Sequence, residues 1–372
     1  MLFRYTNDKN GNPVKKAVIY TENEHPISNA SIDSDAIAVI EKLKDHGFEA
    51  FIVGGAVRDL LLGNVPKDFD LVTDATPQRL KKIFRNSRII GKRFRIVHIF
   101  FGTKIFEVST FRSICDGCSI GNDFGTMDED VMRRDFTINA LYYDPVKKQI
   151  IDYVDGIKDI EKKRIRPVIQ IDKIFVEDPV RMIRAVKYAA LTNFSLPHSL
   201  KRQIKKSSHL LSPISPSRLT EEFFKILNSG HAHAIISLAL ETSLYMYLQP
   251  QATALLSESK DFEQSYMTHL QALDKLVSQN QNIRQGEKLI FLVQDFVDGL
   301  TDWDKEAEEA NIAELYGKTW TRVRHFVLPI NPQRIELEFA IKKILQSYGI
   351  RVKKPKRVKK EKQVSTKKAE SS

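Results

Sequence analysis

Two aspartates one residue apart, Asp68 and Asp70 in KDFDLVT, follow a glycine pair, Gly54-Gly55, within the stretch FIVGGAVRDLLLGNVPKDFDLVT (residues 51–73). The alternation of acid and apolar side chains has the two-residue period of a half-buried strand, which puts both carboxylates on one face, about 7 Å apart along it. Carboxylates so placed repel each other unless they share cations, and Mg²⁺ prefers such hard oxygen ligands together with substrate phosphates. Taken alone, an Asp-x-Asp also suits a solvated edge or turn. The glycine loop supplies the complementary chemistry: bare backbone amides leading into a helix N-terminus make a phosphate cradle, with Arg58 in that helix.

Further groups along the chain extend this chemistry. Glu107, in the strand FEVSTF, could face Asp68 and Asp70 across a sheet, or it could be an exposed strand glutamate. In RRDFTINAL, Arg133 and Arg134 offer charge to a triphosphate, and Asp135 or Asn139 could bond a ribose hydroxyl. Asp135 would equally cap a helix beginning near Phe136. In FVEDPVRMIRAVKYAA, Asp178-Pro179 is a cap and first-turn pair. Arg181 and Arg184, three apart on one face, are more comfortable with an anion between them. Lys92, Arg93 and Arg95 alternate with Phe94 and Ile96, as in a strand with one face on the core and one toward an anion.

The elements that must position these groups can be read from pattern and punctuation. Phe51–Val53 is a buried strand that stops at the glycines, Ala56–Leu62 a helix ended by Gly63, and Asp33–His46 a helix with Ile37, Val39, Ile40 and Leu43 on one stripe. Thr76 and Pro77 start another helix. Arg88–Gly91, Phe94–Gly102 and Ile105–Thr110 read as strands, and LYYDPVKKQIIDYVDG as two more around an Asp-Pro turn. A mixed α/β head is the economical packing for this run. From about residue 160 the pattern turns helical, as in Ile335–Tyr348. Residues 1–30 read as an irregular leader with a strand near Ala17–Tyr20.

A chain of 372 residues holds two to four modules, and with 28% charged and 42% hydrophobic residues its bulk should fold. No apolar run approaches the roughly 20 residues of a membrane span, and MLFRYTNDKN lacks a signal peptide's apolar core, so a cytoplasmic location is the default. Of the net charge of +11, residues 351–372 carry +8, with ten Lys or Arg against two Glu. This tail, with Lys353, Lys354, Lys356, Arg357, Lys359 and Lys360, is too polar to fold; it reads as a salt-sensitive arm on RNA or as a solubilising tail. Cys115 and Cys118 read as loop thiols. His231 and His233 face opposite ways on a helix and make no metal pair. Trp303 and Trp320 suit core packing better than base stacking.

GGAVRDLLLG with KDFD, IFEVSTFR, RRDFTINAL and the Glu-Asp-x-x-Arg of EDPVR together resemble the class II family that holds bacterial poly(A) polymerases and CCA-adding tRNA nucleotidyltransferases. The resemblance is dense from about residue 49 to 250. IIGKRFRIVHIFFG and SPSRLTEEFFKIL are similar to the polymerases in particular. It implies an α+β protein: a mixed-sheet catalytic head (31–160), then an all-α helical neck (161–230) and body (231–350), with the leader before and the basic tail after. It implies template-independent addition of AMP from ATP to RNA 3′ ends, with Asp68, Asp70 and Glu107 on two Mg²⁺ ions, Mn²⁺ being the alternative, and Asp135 sometimes counted as catalytic. Asp178 and Arg181 would read the incoming base. An Asp-Arg pair can accept from the exocyclic amine and donate to the ring nitrogen of adenine or cytosine, and guanine and uracil reverse that pattern. The same pair therefore leaves a CCA-adding enzyme as the alternative, and a non-catalytic RNA-binding protein as a second. RNA-decay proteins as partners are implied by the resemblance alone.

Overall fold

A computed structural model describes residues 2–7, 13–91, 96–113, 124–280, 282–303, 305 and 311–352. Lys92, Arg93, Arg95, Cys115, Cys118 and the basic residues from Lys353 onward lie outside the described residues. A nine-stranded mixed sheet forms the head, followed by helices alone.

The sheet runs β1 (Leu2–Asn7), β2 (Pro13–Tyr20), β9 (Gln149–Asp152), β8 (Leu141–Asp144), β3 (Ala50–Val53), β4 (Asp70–Thr73), β7 (Lys104–Thr110), β6 (Ile96–Phe101), β5 (Ser87–Ile90). Neighbours pair antiparallel except β4 and β7, which run parallel with Leu71 opposite Val108. The leader is not irregular as expected. The strand expected near Ala17–Tyr20 is the end of β2, which forms a hairpin with β1 and continues the sheet by pairing with β9. Buried Ala17, Val18 and Tyr20 anchor that hairpin, while Leu2, Phe3 and Tyr5 stay exposed, so its outer strand carries no core stripe to read.

Helices α1 (Ser34–Asp45), α2 (Gly55–Leu61) and α3 (Pro77–Ile83) cover the sheet. Asp33 caps α1 by accepting from the Asp35 amide, and Thr76 caps α3 with Pro77 at its first turn. The buried face of α1 is Ala36, Val39, Ile40 and Leu43, packed with Ile52, Leu71 and Val108 from the sheet. The opposite sheet face buries Phe51, Val53, Val72 and Tyr142 against Met127 and Val131 of α4 (Met127–Met132). No α-helix follows Phe136; Thr137–Asn139 is a single 3₁₀ turn leading into β8.

Residues expected to divide into neck and body share one continuous core that runs from Phe136 to Ile350. The helices nearest the head are α5 (Gly156–Glu161), α6 (Ile174–Glu177), α7 (Val180–Thr192), α8 (His198–Ser207) and α9 (Pro216–Leu227). Trp303 is buried, donates to the Val297 carbonyl at 2.9 Å and stacks on Tyr348, so it serves packing. Trp320 lies beneath Arg334. His231 precedes the helix Ala232–Glu241 instead of sharing it with His233, and Asp274 caps that helix through the Ala232 and His233 amides. Among the described residues no helix is long and apolar enough to cross a membrane.

Candidate active site

Strand β3 ends at Val53, and Gly54 then takes φ +72°, ψ −131°, a conformation open to glycine and strained for other residues. This turn starts α2 at Gly55 and leaves the glycine backbone facing a cleft of about 1080 Å³ between head and helices. A Cβ on Gly54 would lie 3.7 Å from Arg134 Nη1 and one on Gly55 3.6 Å from Arg58 Nη2, ordinary contact distances, so the positive φ of Gly54, and not crowding, is what calls for glycine at this turn.

Asp70 opens β4, but Asp68 lies two residues ahead of the strand, in the loop that Pro66 anchors by its burial. Both line the cleft. The expected shared strand face is therefore replaced by a loop-and-strand pair. Because Leu71 and Val108 are in parallel register, Asp70 and Glu107, each one residue earlier, project from the same sheet face. Glu107 does not line the cleft itself. Its carboxylate is about half exposed and lies 3.4 Å from His98 Nε2 on the neighbouring strand β6. Asp70 reaches solvent through the cleft mouth yet is crowded by protein. That lost hydration, then Glu107 and Asp68, hold its pKa above the usual carboxylate value. Hard oxygen donors that repel one another suit a divalent cation. Among the described residues no three His, Cys, Asp or Glu side chains gather closely enough to hold a metal unaided, so substrate oxygens would have to complete such a site.

The opposite wall is ion-paired. Asp135 is 7% exposed, and its oxygens accept from the Phe136 amide at 2.7 Å, Arg184 Nε at 2.6 Å and Asn139 Nδ2 at 3.4 Å. Burial pulls its pKa upward, but Arg184 and these donors win and hold it below the usual range. The anion expected between Arg181 and Arg184 is thus supplied, for Arg184, by Asp135 of the chain itself. Asn139 accepts in turn from Arg58 Nη1 at 2.8 Å, and Arg58 is also tied to Asp59.

A second buried network escaped the sequence. Arg134 donates to Asp130 Oδ2 and Tyr142 Oη, each at 2.9 Å, and Tyr142 donates to the same carboxylate at 2.7 Å. Asp130 is four residues before Arg134 on a helix turn, and that spacing was the available signal. Burial, with Arg112 nearby, brings the Arg133 pKa down to about 10.

At the base-reading motif, Asp178 caps α7 through the Val180 amide at 3.1 Å. Asp178 and Arg181 are not partners of each other. Asp178 pairs with Arg218 Nη2 at 2.6 Å, while Arg181 donates to Glu177 at 2.9 Å and to the Arg133 carbonyl at 3.0 Å. Arg218, 40 residues from Asp178 and on α9, is a cleft residue whose role only the fold reveals. Every nucleotide-binding candidate named from sequence lines the cleft.

A mixed sheet that sets paired acids beside a glycine loop and faces them with ion-paired arginines is the head of a nucleotidyltransferase. Residues 50–166 match the poly A polymerase head domain, and residues 193–256 match the probable RNA and SrmB-binding site of polymerase A. The chain is 40% identical to poly(A) polymerase I of Salmonella typhimurium over 258 residues, 65% of this chain and 56% of that protein. It is 38% identical to a CCA-adding enzyme of Lactobacillus helveticus over 214 residues, 56% of this chain and 53% of that one. Among solved structures it resembles the Bacillus stearothermophilus CCA-adding enzyme in complex with CTP, at TM-score 0.56 and 26% identity over 84% of this chain and 82% of that one. The Thermotoga maritima CCA-adding enzyme complexed with tRNA shares the fold, at TM-score 0.54 and 19% identity over 89% of this chain and 85% of that one. The chain belongs to the nucleotidyltransferase family of poly(A) polymerases and CCA-adding enzymes. It spans little more than half the length of the curated relatives it matches.

Proposed function

We propose that this protein adds AMP from ATP to RNA 3′ ends without a template. The observation that carries the reading is the crowding of Asp70 by Asp68 and Glu107 at the mouth of a cleft whose far wall is arginine-rich. Such a cleft has one anionic edge suited to cations and one cationic wall suited to a triphosphate. Asp68 and Asp70, with Glu107 beside Asp70, would hold two Mg²⁺ or Mn²⁺ ions, which when bound polarise the α-phosphate and lower the pKa of the attacking 3′-hydroxyl. The Gly54-Gly55 amides, Arg133 and Arg184 orient and neutralise the triphosphate, and Arg58 and Arg134 brace the loop. Asp135 acts by holding Arg184 and Asn139. Asp178, oriented by Arg218, and Arg181 read the base. Residues 31–160 would act as the catalytic head, residues 161–230 as the neck that reads the base, and residues 231–350 as the RNA-holding body. The basic segment Lys92–Arg95 and the tail would serve as RNA contacts, and deleting residues 351–372 should weaken RNA binding and flatten its salt slope.

The longer matched span with poly(A) polymerase I supports ATP as the nucleotide. A CCA-adding activity is the second reading, favoured by the fold's likeness to the enzyme solved with CTP. Offering each single nucleotide with a generic RNA and with tRNA lacking its terminus separates them. Long tails from ATP alone support polyadenylation; three added nucleotides and a stop on tRNA refute it. Metal-dependent pyrophosphate release excludes a non-catalytic RNA-binding role.

A further inference from the structure

Tyr188 stands four residues after Arg184 and seven after Arg181 on one face of α7, and it lines the cleft. Three cations lie against its ring: Arg58 Cζ at 5.2 Å from the centroid, Arg184 Cζ at 5.4 Å and Lys187 Nζ at 5.4 Å. Phe136 meets the ring edge-on, with centroids 6.1 Å apart and planes at 80°. Arg58 comes from α2 behind the glycine loop, and Arg184 from the helix that follows the base-reading motif. One ring is thus shared by guanidiniums from two separate helices, α2 and α7.

Like charges drawn to one spot repel, and each guanidinium here has an acceptor of its own: Asp59 and Asn139 for Arg58, Asp135 for Arg184. None of these acceptors touches both arginines. The electron-rich ring does, and it attracts each cation. Arg184 bonds Asp135 through Nε alone, which leaves its two terminal nitrogens for an anion in the cleft, and its side chain is 33% exposed.

We propose that Tyr188 is a positioning residue whose ring fixes Arg184, against Arg58, as a clamp for the polyphosphate of the incoming nucleotide. This rests on the reading that the cleft takes a nucleoside triphosphate. The ring, and not the hydroxyl, does the positioning.

The test is calorimetric binding of inorganic tripolyphosphate to the full chain, without RNA or metal, for wild type, Tyr188→Phe and Tyr188→Leu. Phe should bind within about twofold of wild type and Leu about tenfold more weakly. Stepwise fluorinated phenylalanines at position 188 keep the packing while draining the ring face, so affinity should fall with each fluorine even if Leu unfolds the joint. In nucleotide incorporation, Leu should raise the KM for ATP with kcat and the KM for RNA unchanged, and Phe should restore it. A wild type that ignores tripolyphosphate, a Leu variant that binds like wild type, a Phe variant that falls as far as Leu, or a fluorinated series without trend overturns the proposal. Tripolyphosphate binding needs no turnover, so its failure is separable from a failure of the adenylyl-transfer reading, which the incorporation assay tests.

Discussion

The two walls of the cleft treat the same chemical group in opposite ways. On the sheet side Asp70 has lost hydration and lies near Glu107 and Asp68, which Arg134 and Arg184 offset only in part, and its proton is held more tightly than in water. On the far side Asp130 and Asp135 are more buried but each grips an arginine, and both are held below the usual carboxylate range despite their burial. Burial alone therefore does not decide a carboxylate's role; its partners do. An acid left among acids is available to a cation, and an acid closed upon arginines is a fastener.

Substitution should separate the walls. The largest effect is expected at Asp70: Asp70→Ala should cut incorporation by about a thousandfold or more while circular dichroism stays native and melting does not fall, and Asp68→Ala should do the same. Undiminished turnover in the double variant would erase the distinction. Next comes Asp135→Ala, which strands the Arg184 charge and should cost about 3–5 kcal/mol in urea unfolding. If it proves as harmless to stability as Asp70→Ala, Asp135 is no fastener. Arg218→Ala frees Asp178 and should erode discrimination of ATP against GTP and UTP by about tenfold in kcat/KM, with stability barely changed.

The smallest effect sharpens the contrast through pH. Asp70 has a raised folded pKa, so its ionisation disfavours folding as pH rises above the unfolded carboxylate value of about 3.9. Asp70→Asn should thus melt slightly higher than wild type at neutral pH, and the difference should vanish in acid. Asp135 has the opposite sign: its contribution is present above that unfolded value and lost as pH falls through its depressed folded pKa. Melting curves from pH 3 to 7 for Asp70→Asn and Asp135→Asn should diverge in opposite directions from wild type.

The sheet-side wall was legible in the sequence because its parts are local. Gly54, α2 and Asp70 fall within a few turns of chain, and glycine, period and acid spacing announce them. The fastener wall was only half legible. Asp135 was named, but its grip on Arg184 spans 49 residues, and the Arg218–Asp178 pair spans 40, distances over which pattern carries no register. Tyr188 looks like any apolar helix position until Arg58 arrives from another element. Strand β1 hid for a different reason, while part of β2 was expected: an edge strand with exposed Phe3 and Tyr5 lacks the buried alternation that betrays a strand.

The parallel pairing of β4 with β7 bears on how such a molecule could diversify. Between these adjacent strands the chain departs through α3, β5 and β6 before returning, yet the parallel register of Leu71, Val72 and Thr73 with Val108, Ser109 and Thr110 keeps Asp70 and Glu107 side by side. Apart from β6, whose His98 sits against Glu107, the excursion can therefore be lengthened, shortened or recharged without breaking the strand pairing that aligns the acids. Change can gather in that outer part while the paired acids are inherited intact, and it includes the basic run at residues 92–95, within the stretch 89–102 whose sequence is similar to the polymerases.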